Sequence, residues 1–330
     1  MTFENRTLDS LLADPRIAPI ADDAIRTCSP EFDQLKGKRD KTLSELNNGF
    51  FYGDLCRGFE RLFRAADSGA WYYPLYTEAE CAGNPDRKGT NFLWFPSDDP
   101  SAGSRPFILL VPGGGFVNVW NLTEGWPVAA RFNELGYHVF ILTYQVGGTE
   151  KLMEKNMQDF ARALSLIREK AAFFRVQPDS YITCGFSAGG YLVSLWNTAL
   201  GYPAFGLPKP QAVFPVYPVT SLRITMDAGY ADPEGDFILY GSSIREAAEK
   251  EYEIPEHAEG FPPCAIFVAA GDELVGHSRA LAGALEKLSV PCRLEIGPEG
   301  GHGFADGTGM CMAGWPDRAV RWFESLASDA

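Results

Sequence analysis

The sequence predicts an α/β fold in which helices cover both faces of a mostly parallel central sheet. From Trp71 onward, short apolar runs alternate with segments of helical periodicity, which is typical of βαβ units. Residues 107–111 read as a buried strand, as expected for a sheet with two covered faces. Glycines or polar side chains follow several of the runs, at the edge of the sheet where ligands of such folds bind.

The individual elements follow from apolar spacing and from turn residues. Strands are expected at 71–77, 90–95, 107–111, 137–144, 180–184, 212–217, 265–270 and 292–296, and helices at 123–135, 151–174, 191–200 and 318–326. Gly136 ends the first of these helices, as glycine commonly does. The Met-bearing stripe of 151–174 is interpreted as core.

Residues 1–69 form a predicted helical, polar N-terminal extension. Its apolar side chains recur at helical spacing and indicate an amphipathic segment; they are Leu43, Leu46, Phe50, Phe51, Leu55, Phe59, Leu62 and Phe63. We expect the extension to pack on the main domain at 70–330, and it is a candidate cap. A long excursion at 219–261 is a candidate lid.

The most informative motif is Gly-Phe-Ser-Ala-Gly-Gly at residues 185–190. A strand-like run precedes it and a helical run follows it, which is the context that a G-x-S-x-G nucleophile elbow requires. Gly185 and Gly189 leave room for the tight turn because they carry no Cβ. The hydroxyl of Ser187 would lie at a helix N-terminus, which favours a developing anion. Ser187 is therefore the candidate nucleophile.

A glycine-rich loop, Pro-Gly-Gly-Gly-Phe at residues 112–116, follows the buried run 107–111. We expect the backbone N–H groups of Gly114 and Gly115, with that of Ala188, to form an oxyanion hole. The alternatives are a plain glycine-rich turn or a phosphate loop. Neither the Lys-Ser/Thr of a Walker motif nor G-x-G-x-x-G is present.

Asp272 and His302 are the candidate acid and base. Each follows one of the last two strand-like runs, and glycines flank His302. A serine hydroxyl needs an imidazole to take its proton, and the imidazole needs a carboxylate to orient it. The alternatives are His277 for the base and Asp306 for the acid.

The remaining candidates are expected elsewhere. His138 lies inside a strand-like run and is assigned to the core or a sheet edge. His257 lies in a polar stretch and is expected in solvent, and Glu273 must point away from its neighbour Asp272.

Composition excludes several classes of partner. A net charge of −14 argues against nucleic acid and against an anionic membrane. The seven cysteines are scattered singly, which disfavours a structural zinc site. We see no signal peptide and no apolar run of membrane-spanning length. The expectation is a cytoplasmic protein with no cofactor, no metal and a small-molecule ester substrate; its oligomeric state stays open, with a homodimer as one option.

At these motifs the chain resembles α/β-hydrolase esterases, and among them the acetyl xylan and feruloyl esterase-like carbohydrate esterases. The segments that carry the resemblance are 112–116, 136–140, 185–190, 271–272 and 301–304. Pro112 stands where hormone-sensitive-lipase-like esterases usually have His, and a Pro-Gly-Gly-Gly start is similar to the acetyl xylan esterase-like group. The resemblance covers roughly residues 71–327.

This resemblance implies the α/β-hydrolase fold and a serine carboxylesterase or acetylesterase that forms an acyl-enzyme. Short acyl esters, with O-acetylated carbohydrates among them, are the expected substrates. Phe116, Trp120 and Trp126 are candidate substrate contacts, because an indole face can stack on a sugar ring; core packing is the alternative. Two other functions stay open: an amide hydrolase of the arylformamidase-like or small peptidase-like type, and a non-catalytic binding protein on a hydrolase scaffold.

Overall fold

The strands that build the fold are two to six residues long, and those in the middle of the central sheet are buried along their whole length. A computed structural model describes residues 3–49, 51–148, 150–235 and 237–328. Its strands are β1 (Arg26–Thr27), β2 (Tyr72–Pro74), β3 (Asn91–Phe95), β4 (Phe107–Val111), β5 (Asn118–Val119), β6 (Val139–Thr143), β7 (Tyr181–Phe186), β8 (Ala212–Val216), β9 (Cys264–Ala269) and β10 (Cys292–Gly297).

Eight of these strands form the central sheet of the described residues, in the order β10-β9-β8-β7-β4-β6-β3-β2. The strands from β10 to β6 run parallel, and β3 and β2 add an antiparallel edge. Alternate side chains of β4 enter two separate cores: Ile108 and Leu110 face one, Leu109 and Val111 the other. Both faces are therefore covered, and the predicted mostly parallel α/β sheet is confirmed.

Helices fill the connections and cover the sheet. They are α1 (Leu8–Leu12), α2 (Leu43–Gly49), α3 (Leu55–Asp67), α4 (Glu78–Gly83), α5 (Trp126–Glu134), α6 (Leu152–Glu169), α7 (Ala171–Phe174), α8 (Ser187–Leu195), α9 (Leu222–Asp227), α10 (Phe237–Tyr240), α11 (Ile244–Ala248), α12 (Val275–Lys287) and α13 (Trp315–Ser328). Within the described ranges, none of them combines the length and apolar character that a membrane span requires.

All four predicted helices differ from their expected bounds: α5 and α13 by one to three residues at each end, and the other two by more. The segment 151–174 divides at Lys170, whose backbone leaves the helical region, although Met153 and Met157 are buried in the core as expected. Helix α8 begins at Ser187 instead of 191. The motif serine is therefore itself the first residue of the helix.

The N-terminal extension consists of short helices and turns that join the main core. Its predicted helical spacing is interrupted at Gly53, whose φ of +106° favours glycine, and Asp54 then caps α3 by accepting the N–H of Arg57. Phe50 lies outside the described residues. Phe59 of α3 packs edge-on against Trp126, with ring centroids 5.3 Å apart.

A two-stranded antiparallel pairing ties the extension to the main domain. Arg26 of β1 pairs with Val119 of β5, which lies just after the glycine-rich loop at 112–116. The extension therefore contacts the chain segment that leaves this loop.

Glycines permit the close approach of α8 to the sheet. A Cβ on Gly189 would collide with the carbonyl oxygens of Val111 and Pro112, and one on Gly185 with the carbonyl of Gly189. The end of β4 also lies beside β7, since Val111 pairs with Gly185. The start of α8 is thus held against the ends of both strands.

We predict that Gly189→Ala destabilises the fold by about 1–3 kcal/mol, because the new methyl group meets rigid backbone. The matched control is Gly283→Ala in α12, where a Cβ would meet no atom within 4 Å. That change should stabilise by roughly 0.5–1 kcal/mol, since alanine loses less entropy in a helix. Urea unfolding measures the change in the free energy of unfolding for each of the two variants. Equal effects of the two substitutions would contradict the packing described for α8.

Candidate active site

The backbone at Ser187 is in a conformation that serine rarely adopts. Its φ is +49°, and such a conformation costs about 1–3 kcal/mol when a non-glycine residue holds it. The N–H of Val219 donates to the Ser187 carbonyl at 3.2 Å and helps to fix the turn. The strand β7 ends directly before the serine, so the side chain stands at the carboxyl edge of the sheet and at the N-terminus of α8.

His302 connects Ser187 to Asp272. Its Nε2 lies 2.9 Å from Ser187 Oγ, and its Nδ1 lies 2.9 Å from Asp272 Oδ2. The parallel pairing of Ala269 with Gly297 aligns the ends of β9 and β10, and the loops after these strands carry the acid and the histidine. The structure thus brings together three side chains that are far apart in sequence.

The side chains of Asp272 and His302 differ in burial. The Asp272 side chain is fully buried, whereas that of His302 is 35% exposed. Burial lowers the pKa of the His302 imidazole, but the hydrogen bond to Asp272 and the charges of Asp272, Glu124 and Glu273 outweigh it, so the net pKa lies above the usual value. The imidazole is therefore placed to gain a proton readily.

Two of the other histidines, His277 and His138, are bonded to groups away from Ser187. His277 is buried, and its Nδ1 accepts the N–H groups of Thr220 and Ser221. His138 is also buried, and its Nδ1 accepts the N–H of Ser97. Burial lowers the pKa of each imidazole to about 4, which favours the neutral form.

The alternative acids have other partners. Asp306 accepts the N–H of Asp54 at 3.2 Å and that of Thr308 at 2.9 Å. Glu273 is exposed and accepts the Tyr230 hydroxyl. Neither carboxylate is hydrogen-bonded to His302, so Asp272 is the acid that the geometry supports.

The glycine loop, residues 112–116, turns beside the serine. Gly114 and Gly115 have φ values of +133° and +61°, and both line the same cavity as Ser187. Within the described part of the chain their N–H groups have no protein acceptor. The N–H of Ala188, in the first turn of α8, belongs to the unpaired donors of a helix N-terminus. These three N–H groups are the ones that the sequence analysis expects to form an oxyanion hole, which stays a prediction.

A cavity of 320 Å³ opens over these groups, which is near the lower end of the range for small-ligand pockets. It is lined by Phe51, Tyr52, Gly114, Gly115, Trp120, Thr123, Glu124, Ser187, His302 and Gly303. None of the described residues of 219–261 lines it. The aromatic wall comes instead from Trp120 and from the N-terminal extension.

Two of the three aromatic substrate contacts expected from the sequence lie elsewhere. Trp126 is fully buried against Phe59, because the first turn of α5 points it into the core. Phe116 is also buried and packs its ring against Tyr191. Of the three, only Trp120 lines the cavity.

Two parts of the site escaped the sequence analysis. Phe51 packs edge-on against Trp120 and Tyr52 is half exposed at the cavity; the apolar spacing had placed Phe51 only in an amphipathic stripe. Glu124 lines the cavity although it is almost fully buried. The sequence could have drawn attention to Glu124, because it is the only charged residue between 116 and 130.

The described side chains offer no grouping of three or more His, Cys, Asp or Glu residues that could hold a metal ion. The site itself holds a hydroxyl, an imidazole, a carboxylate and backbone N–H donors. That set is suited to nucleophilic attack on a carbonyl carbon with charge stabilisation on its oxygen.

Comparison with known proteins places these features in context. The chain is 27% identical over 223 residues to an acetylxylan esterase of Xylanibacter ruminicola, and the alignment covers 63% of this chain and 43% of that protein. It is 24% identical over 244 residues to endo-1,4-beta-xylanase B of Butyrivibrio fibrisolvens, covering 68% and 36%. The chain thus spans less than half the length of these relatives.

The fold is also similar to that of a solved structure. An acetyl ester-xyloside bifunctional hydrolase from Caldicellulosiruptor lactoaceticus superposes with a TM-score of 0.64 at 25% identity, over 78% of this chain and 96% of that one.

The family described as alpha/beta hydrolase fold matches residues 108–306, a range that contains the serine, the acid and the histidine. The chain belongs to the alpha/beta hydrolase fold family.

Proposed function

We propose that this protein is a serine carboxylic-ester hydrolase that removes short acyl groups, acetyl foremost, from small polar esters such as O-acetylated carbohydrates. The observation that carries the proposal is the contact of Ser187 Oγ with His302 Nε2 at 2.9 Å, with the buried Asp272 on the other ring nitrogen. The similarity to an acetylxylan esterase supports the acyl group and the substrate class.

In the first half of the reaction, His302 takes the hydroxyl proton as Ser187 Oγ attacks the ester carbonyl carbon. Asp272 holds the imidazole with Nε2 free to accept and stabilises the imidazolium that forms. Collapse of the tetrahedral intermediate breaks the bond to the alcohol, which leaves with the proton from His302. Water then attacks the acyl-enzyme in the same manner, and the acid product leaves.

The N–H groups of Gly114, Gly115 and Ala188 would stabilise the oxyanion. Each well-placed donor of this kind contributes roughly 3–4 kcal/mol to the transition state. Backbone donors are suited to the task because hydrogen bonds already hold their loop: the Gly114 carbonyl accepts the N–H groups of Val117 and Asn118.

The cavity supports a small substrate. Its volume of 320 Å³ leaves little room for a long acyl chain beside an alcohol group. The ring of Trp120 and the exposed Tyr52 offer flat apolar faces of the kind that stack on sugars.

We predict that Ser187→Ala lowers kcat on p-nitrophenyl acetate by at least about 10³-fold, because the nucleophile is lost and the triad acts as a unit. A fluorophosphonate should label the wild-type protein at Ser187 alone, as read by peptide mass spectrometry. Substitution of the exposed Ser325, which serves as the control, should change neither. Normal turnover in Ser187→Ala, or labelling at another serine, refutes the assignment.

The acid limb of the pH–kcat/KM profile should have its midpoint above the ordinary histidine value of about 6.5. The reason is that His302 must be neutral to accept the proton and its pKa is raised, so activity is lost as pH falls through that value. Asp272→Asn should move the midpoint to lower pH and reduce kcat about 10²–10⁴-fold. His257→Gln is the control and should leave the limb in place. A midpoint that stays fixed in Asp272→Asn would exclude this pair as the source of the limb.

Acyl-chain selectivity checks the substrate class. We expect kcat/KM for p-nitrophenyl acetate to exceed that for the octanoate by at least about tenfold, since chain-length differences in a fitted pocket change specificity by about 10–200-fold. Rates in Ser187→Ala supply the uncatalysed baseline. Equal or faster turnover of the octanoate would indicate a lipase-like groove and rule out the small polar substrate.

A further inference from the structure

Glu124 is a buried carboxylate beside the candidate nucleophile that the proposed mechanism does not use. It is 7% exposed and lies in a π-helical turn at Asn121–Gly125, directly before α5. Such turns are rare and occur frequently at functional sites. Removing a carboxylate from water is costly unless each oxygen finds a donor, so its partners define what it does.

One carboxylate oxygen holds the glycine loop. Glu124 Oε2 accepts the N–H of Gly113 at 2.6 Å, one residue before the proposed oxyanion donors. A Cβ at Gly113 would lie 2.9 Å from Ser187 Cβ and 3.0 Å from Glu124 Oε2. At Gly113 the glycine loop therefore packs against both the serine and the carboxylate, with no space for a side chain.

The other oxygen reaches the histidine loop, residues 298–306, through Tyr217. Glu124 Oε1 accepts the Tyr217 hydroxyl proton at 2.8 Å, and the same hydroxyl oxygen accepts the N–H of Ala305 at 3.2 Å. The Tyr217 ring also packs edge-on against His302, with centroids 4.8 Å apart. Tyr217 is fully buried, so both its ends are fixed by protein groups.

The backbone on both sides of this connection is strained. Tyr217 has a φ of +36° and Ala305 one of +48°, which side-chain-bearing residues hold only when the surroundings impose it. The hydrogen bonds that Tyr217 donates to Glu124 and accepts from the Ala305 N–H supply such surroundings.

We propose that Glu124 is a positioning residue of the hydrolytic site, whose two carboxylate oxygens hold the glycine loop and the histidine loop in register with Ser187. The inference rests on the proposed function, because it concerns the geometry of that same site. A carboxylate suits the position because both partners, Gly113 N–H and Tyr217 O–H, are donors and a carboxylate offers acceptors only.

The primary test is Glu124→Gln, which keeps the size but replaces one acceptor with a donor. We expect kcat on p-nitrophenyl acetate to fall roughly 10- to 100-fold, the loss typical of a buried hydrogen bond to a charged group, with KM changed less than about threefold. The rate constant for fluorophosphonate labelling of Ser187 should fall in parallel. Wild-type kcat and labelling rate would overturn the proposal.

Tyr217→Phe is the second variant, and it decides the matter if Glu124→Gln does not fold. It removes only the hydroxyl, leaves Glu124 bonded to Gly113 and keeps the ring against His302. We expect kcat to fall at least about threefold to tenfold at nearly constant KM. The double variant should be less than additive relative to the two single variants. A fully additive double variant, or wild-type kcat in Tyr217→Phe, contradicts a shared positioning role.

Glu273→Gln separates positioning from charge. Glu273 also carries a charge that acts on His302 but is exposed and contacts Tyr230. We expect its kcat to stay within about threefold of wild type, and an equal loss in both Gln variants would reduce the role of Glu124 to charge alone. The proposed function is tested separately: if Ser187→Ala is inactive while Glu124→Gln retains full kcat, only the present inference fails.

Discussion

The close approach of α8 to the carboxyl ends of β4 and β7 is the constraint on which the rest of the site depends. Gly185 and Gly189 have no room for a Cβ, and this absence of side chains lets the helix begin at Ser187 with a φ of +49°. The surrounding sheet holds the Ser187 backbone in this strained conformation, because β4 and β7 are buried along their whole length. A rigid sheet edge thus fixes the hydroxyl at a helix N-terminus, where developing negative charge is favoured.

Two buried carboxylates then organise the groups around that hydroxyl. Asp272 bonds His302 directly, whereas Glu124 reaches the loops on both sides of the serine through Gly113 and Tyr217. The N-terminal extension completes the cavity with Phe51 and Tyr52. These residues lie outside the family match at 108–306, so this part of the cavity wall comes from a segment that the family model does not cover.

The sheet and the proposed triad were predictable because their signals are local. An apolar run followed by a glycine-flanked serine marks Ser187, and polar residues in the loops after the last two strand-like runs mark Asp272 and His302. Trp126 was a candidate substrate contact because the sequence does not fix the exact start of α5. A shift of one residue in that start changes whether the Trp126 side chain faces the core. Glu124 stands out locally as the only charged residue between 116 and 130, but its partner Tyr217 is 93 residues away, and no local pattern reports a contact of that span. The interruption of the helix at Gly53 was not predicted, because the apolar residues on both sides of it keep a helical spacing.

The most direct measurement is the identification of the covalent intermediate. The protein would be mixed with p-nitrophenyl acetate, quenched in acid within the first turnover and digested, and the peptides would be analysed by mass spectrometry. We predict the added mass of one acetyl group on the peptide with residues 185–190, located at Ser187 and absent from Ser187→Ala. An active enzyme with no acetylated peptide at any quench time, or with the acetyl group on another residue, would contradict this prediction.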